Sequence, residues 1–188
     1  MSQQTFTKNN PGEEMHAFIR QLFPICRSLT GPGTRATLDV LKEHLPKLEF
    51  HDISSGLQVF DWTVPSEWTI RSAVLTGPDG DVVVDMADHN LHVMGYSQPV
   101  DVTLTLDELQ AHLYSLPDQP EAIPYITSYY NKRWGFCLSH SQREALKAGT
   151  YRAVIDADLK PGKLDYADLV IPGETSEEIF FSTYVCHP

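Results

Sequence analysis

The sequence predicts an α/β protein with a β-rich block set into it, and three observations point there. The run Glu177-Glu178-Ile179-Phe180-Phe181-Ser182-Thr183-Tyr184-Val185-Cys186-His187-Pro188 opens on two acids. It continues through eight residues that are apolar, aromatic or small and hydroxyl-bearing, with no charge. That is the texture of a strand buried on both faces, as in the middle of an α/β sheet. At the other end of the chain, two helical patterns precede a strand. Between the two, from near Phe60, the chain turns to short paired strands punctuated by Gly and Pro. A natural domain rarely closes on a buried central strand, so the chain is expected to be the N-terminal part of a longer protein.

Each element has its local reason. Residues 1–11 are expected to form a loose arm. Glu13 and Glu14 lead a helix with Met15, Phe18, Ile19 and Leu22 on one face, ended near Pro24. After the turn Thr30-Gly31-Pro32-Gly33, Thr34 is expected to cap a second helix carrying Leu38, Leu41 and Leu45. Leu48 to Ile53 alternates as a strand. Trp68 to Leu75 and Val82 to Met86 form a hairpin around Gly77-Pro78-Asp79-Gly80. Leu91 to Tyr96 and Val100 to Leu106 predict a second strand pair. Thr105 with Glu108, and Ser141 with Glu144, have capping-box spacing, and Gly149 is expected to end the helix that Ser141 opens. Tyr151 to Ala157 and Leu164 to Ile171 are strands flanking Lys160-Pro161-Gly162-Lys163.

Composition excludes several classes of function. A hydrophobic share of 41% with 21% charged residues is that of an ordinary folded protein. A net charge of −11 with dispersed acids argues against a nucleic-acid partner, whose phosphates need a basic face. No apolar run is long enough for a membrane helix, and the polar N-terminus is unlike a signal peptide. Three widely spaced cysteines, Cys26, Cys137 and Cys186, argue against a disulfide scaffold and favour a cytoplasmic location.

His187, directly after the terminal strand, sits where α/β sheets place their ligands, outside the carboxyl ends of the strands. His89 and His92 are three apart before a strand, which points them to opposite faces as loop histidines. Cys186 and His187 are adjacent on a strand and point apart, so a Cys–His nucleophile pair is disfavoured. Tyr125, Tyr129, Tyr130, Lys132, Arg133, Trp134 and Phe136 crowd twelve residues. As core, the rings would all turn inward. As a binding wall, Tyr129, Tyr130, Arg133 and Trp134 would offer ring edges, hydroxyls and a basic rim.

The run Ser182 to Pro188, together with Arg27-Ser28-Leu29-Thr30-Gly31-Pro32-Gly33-Thr34-Arg35, Tyr96-Ser97-Gln98-Pro99-Val100 and Ile123-Pro124-Tyr125-Ile126-Thr127-Ser128-Tyr129-Tyr130, resembles a bacterial family of zinc aminopeptidase-like proteins. Asn90-Leu91-His92-Val93 and Trp134-Gly135-Phe136-Cys137 belong to the same likeness. Members are similar to leucyl-aminopeptidase and glutamate-carboxypeptidase-like metallopeptidases, carry an inserted domain, and are often associated with polysaccharide-biosynthesis loci.

The resemblance implies a three-layer αβα zinc-peptidase-like domain, split between residues 12–58 and 149–188, with an α+β insert at 59–148. It implies zinc as cofactor, His187 as one metal ligand and a peptide or amide substrate hydrolysed by a metal-activated water. The remaining ligands and the general base are absent from this sequence, so the chain alone is expected to be inactive. A non-catalytic peptide- or carbohydrate-binding module on a peptidase scaffold is the alternative. A homo-oligomer is left open.

Overall fold

The computed structural model describes residues 10–186. The loose arm expected at 1–11 therefore lies almost wholly outside the described residues, as does His187. Helix α1 (Pro11–Leu22) begins earlier than its acids suggest, because the Asn10 side chain accepts from the Gly12 N–H and Pro11 sits in the first turn. It buries none of its residues, and Met15 and Ile19 stay exposed. Helix α2 (Pro32–His44) starts after Gly31, not on a Thr34 cap. The Thr34 hydroxyl instead donates to the Ser28 carbonyl at 2.5 Å, tying the helix back to its own entry loop.

Strand β1 (Glu49–Ser54) is followed by a small ribbon of β2 (Gln58–Val59) and β3 (Trp62–Thr63). Then come β4 (Glu67–Thr76) and β5 (Val82–Asp85), the hairpin that Gly77-Pro78-Asp79-Gly80 predicts. Strand β6 (Val100–Thr105) leads into α3 (Leu106–Leu109), whose Thr105/Glu108 capping box is formed as expected. Two short parallel strands, β7 (Leu113–Tyr114) and β8 (Phe136–Cys137), precede α4 (His140–Glu144). The cap of α4 is Ser139 with Gln142, two residues before the expected Ser141/Glu144 pair, and the helix stops five residues short of Gly149. Strands β9 (Thr150–Lys160) and β10 (Lys163–Asp168) complete the set.

The main sheet runs β5-β4-β9-β6 and is antiparallel throughout. Its inner face carries Ala73, Leu75, Val84, Tyr151, Ala153 and Ile155, all buried, against Leu109, Leu113, Phe136 and Leu138. Its outer face is a charge ladder, in which Arg71 holds Asp156 and Asp158 and Arg152 holds Asp101. One buried face and one wet face is the normal economy of an antiparallel sheet. Arg71 occupies a bulge in the β4–β9 register.

Three expectations are corrected. Residues 91–96 are not a strand, because Asn90–His92 make a 3₁₀ turn and Val93 and Gly95 make only isolated bridges, to Phe136 and Thr127. Lys160-Pro161-Gly162-Lys163 does not close a hairpin. The strands expected on either side of it are present as β9 and β10, but it carries the chain from the main sheet to a separate ribbon, where β10 pairs with β1. The terminal run forms no strand among the described residues, and Ile179 and Phe180 are 85% and 89% exposed. A segment apolar on both faces gains stability only between neighbouring strands, and none lies beside it here.

Strand β9 is central, flanked by β4 and β6. The sheet therefore does not divide at residue 148. Its middle strand comes from the stretch, 149–188, expected to belong to the peptidase-like domain.

Candidate functional site

The site is built where the loop between α1 and α2 meets the aromatic run. Tyr96 takes a φ of 63°, a backbone conformation that side-chain-bearing residues seldom adopt. It is held there by its surroundings: its ring stacks on Trp68 at 5.8 Å, and its hydroxyl meets Thr30 Oγ1 at 2.7 Å. Thr30 Oγ1 also accepts the Trp68 N–H, and the Trp68 indole N–H donates to the Ser97 carbonyl. Burial pushes the Tyr96 hydroxyl up to about 12, so it stays a neutral phenol.

Tyr129 meets Tyr96 edge-on at 5.1 Å and Tyr130 edge-on at 6.2 Å, and its hydroxyl lies 3.1 Å from that of Tyr125. Tyr96, Tyr129 and Tyr130 wall an open hollow of about 390 Å³, whose rim carries Ser66, Gln98, Asn131 and Lys132. The aromatic run divides between the two placements. Tyr129 and Tyr130 line the hollow. Trp134 stacks flat on His112 at 3.7 Å and turns its edge to Phe136, packing on the core. Arg133 is exposed, and its carbonyl accepts the Gln98 N–H. Neither Arg133 nor Trp134 lines the hollow. Gln98 and Asn131 carried no chemical signal in the sequence, because a lone amide becomes a site residue only by placement.

A smaller cavity of about 20 Å³ lies near, lined by residues including Arg27, Asn90, Trp68 and Tyr125. Arg27 Nη1 donates to the Leu22 and Ile25 carbonyls beyond α1, and Asn90 Nδ2 donates to the Phe23 carbonyl. Arg27 Nε and Asn90 Oδ1 are buried and have no hydrogen-bond partner among the described residues. Burial pulls the Arg27 guanidinium below its usual range, and Cys186 acts electrostatically on it in return. Cys186 also bears on Tyr96 and Tyr125.

The other sequence candidates fall elsewhere. The 3₁₀ turn brings the rings of His89 and His92 to 5.8 Å, where a strand would have parted them. His92 is buried, with Nδ1 bonded to the Cys137 carbonyl, so it is a packed histidine and not a loop one. Burial pushes Cys26 up to about 11 and Cys137 up to about 12, the signature of inert thiols. Among the described residues, the one group of three metal-ligating side chains is Glu49, His51 and Asp168, exposed on the β1–β10 ribbon.

Residues 67–158 match a domain of unknown function, DUF2172. The matched stretch opens with β4 and closes inside β9, spanning the main sheet and the tyrosine wall. A Clostridium acetobutylicum protein provisionally named a polysaccharide biosynthesis protein with an aminopeptidase-like domain is 48% identical over 177 residues, which cover 94% of this chain and 41% of that protein. A crystal structure of a provisionally assigned peptidase from Clostridium acetobutylicum superposes with a TM-score of 0.90 at 48% identity, over 95% of this chain and 42% of the solved one. The chain thus spans about two fifths of the length of the relatives it matches. Its mixed α/β architecture is that of the solved relative. No described helix is long and apolar enough to cross a membrane.

Proposed function

We propose that this chain is the N-terminal portion of a zinc-dependent aminopeptidase, in which the tyrosine wall faces the substrate and His187 contributes one metal ligand. The observation that carries the reading is the 48% identity, over 94% of this chain, to a protein named for an aminopeptidase-like domain. The likeness to relatives named for an aminopeptidase-like domain and a peptidase supports the same direction. Zinc in such an enzyme polarises the scissile carbonyl and acidifies a bound water. The described residues do not complete a zinc site near Cys186, since the only group of three ligands lies on the β1–β10 ribbon. Hydrolysis then belongs to the longer protein, with the other ligands in a three-layer αβα domain into which the DUF2172 stretch is inserted. Its substrate is a peptide or another amide.

The test is a full-length His187→Ala variant. Loss of one ligand lowers metal content and kcat together, while Cys186→Ala leaves both nearly intact. A His187→Ala protein that keeps its zinc and its turnover overturns the reading. A second reading, a peptide- or carbohydrate-binding module on a peptidase-like scaffold, draws on one observation of its own: the hollow is large, open and rimmed with polar side chains.

A further inference from the structure

The hollow's side chains are unusual in what they leave undone. Within the described residues the side chains of Ser66, Gln98, Asn131 and Lys132 and the hydroxyl of Tyr130 make no hydrogen bond or ion pair. Elsewhere on this surface five basic side chains, Arg71, Arg152, Lys147, Lys160 and Lys163, each hold an aspartate. Among the described residues no carboxylate lines the hollow, although the chain carries 25 acidic residues against 14 basic ones. Among the described residues Lys132 thus has no ion-pair partner, in a protein whose net charge is −11. Beside it, Tyr130 is 77% exposed, an aromatic surface kept in water. Its ring is set at 89° to that of Tyr129, so the two rings make a corner and not a flat patch.

We infer that this hollow binds a saccharide carrying a carboxylate group. A sugar ring presents an apolar C–H face and a girdle of hydroxyls, each both donor and acceptor. The corner of Tyr129 and Tyr130 accepts the apolar face. Gln98 and Asn131 offer an amide N–H₂ and an amide oxygen each, and Ser66 a hydroxyl, which suit hydroxyls of either polarity. Lys132 supplies the positive charge for the carboxylate. A volume of about 390 Å³ is in the range of small-ligand sites. An acidic peptide would share the charge but fits less well. Peptides gain affinity from a free strand edge or from pockets for alternate side chains, and the wall here is made of loops at 65–66, 96–98 and 128–132, with Leu159 the one strand residue.

The inference rests on the substrate-wall part of the proposed function and narrows it: the amide that the longer protein cleaves would be borne by, or lie next to, an acidic sugar. The measurement is an NMR and calorimetric titration of the 188-residue chain in the presence of EDTA, with an oligogalacturonate, the matching neutral oligogalactose and an acidic peptide as probes. The oligogalacturonate binds best. Tyr130→Ala weakens it about tenfold, and Lys132→Gln brings it down to the affinity of the neutral sugar. Both positions are exposed, so both variants keep the wild-type circular dichroism spectrum. The absence of any saccharide binding up to about 10 mM, or an acidic peptide that binds as tightly and is equally hurt by Tyr130→Ala, overturns the inference. Because no metal is needed, the result is independent of the His187→Ala experiment. Saccharide binding that survives in an enzymatically inert protein removes the hydrolase reading alone.

Discussion

Thr30 and Tyr96, sixty-six residues apart, meet hydroxyl to hydroxyl at 2.7 Å in the protein interior. The contact joins the loop before α2 to the turn that shapes the tyrosine wall. Thr30 Oγ1 is doubly engaged, since it also accepts the Trp68 N–H at 3.0 Å. Thr30→Val therefore removes two hydrogen bonds and leaves a buried backbone N–H without its acceptor, which costs about 1–3 kcal/mol. Tyr96→Phe loses one bond and costs about 0.5–1.5 kcal/mol. Urea unfolding should rank Thr30→Val as the more damaging change, and the reverse order would show that the hydroxyl pair is incidental.

Gly31 is required by contact as well as by conformation. Its φ is +101°, and a Cβ there would lie 2.1 Å from the Trp68 carbonyl oxygen. Gly56 has a comparable φ of +85° but open space around it. Gly56→Ala should cost about 1–2 kcal/mol, the strain of a left-handed backbone. Gly31→Ala should cost more, because the backbone of β4 or the start of α2 must move. Equal losses in thermal unfolding would deny the close approach.

Arg35 on α2 reaches Glu67 at 2.6 Å and Asp165 at 2.9 Å, linking the main sheet to the β1–β10 ribbon. The hydrogen bond from Arg35 holds the Glu67 carboxyl below the usual carboxylate range against the opposing effect of burial, and the Lys163 N–H adds to it. A depressed carboxyl contributes stability above its unfolded pKa and loses it as pH falls through its folded one. Stability should thus decline between about pH 5 and pH 3, and Arg35→Gln should flatten that decline. Arg35 is 40% exposed, so the loss at neutral pH is on the order of 1 kcal/mol, not more. An unchanged pH profile in Arg35→Gln would place the acid sensitivity elsewhere.

The central position of β9 makes a claim about folding units. A segment of residues 59–148 lacks the strand that pairs with both β4 and β6. Expressed alone it should show little amide protection, whereas residues 59–160 should protect β4, β6 and β9. Strong protection in the shorter segment would mean that β4 and β6 need no strand between them.

What the sequence determined by itself was local. The β4–β5 hairpin follows from alternating apolar residues around Gly77-Pro78-Asp79-Gly80, and the Thr105/Glu108 box from spacing within one helical turn. The resemblance to zinc aminopeptidase-like proteins rested on contiguous motifs and pointed in the direction of the relatives that match this chain. Tyr129 and Tyr130 were legible as wall candidates because exposed aromatics beside bases are a compositional signal. Tertiary structure decided the rest. Pro161-Gly162 reads equally well as a hairpin turn or as a passage between sheets, and only the pairing of β10 with β1 chose the second. The terminal run has the composition of a buried strand, but strand formation depends on the neighbours that hydrogen-bond to it, and no composition supplies those. The hollow itself joins residues near 65, 98, 130 and 159. Ser66, Gln98 and Asn131 are unremarkable singly, and meet only because long-range packing of the antiparallel sheet and its loops brings them to one rim.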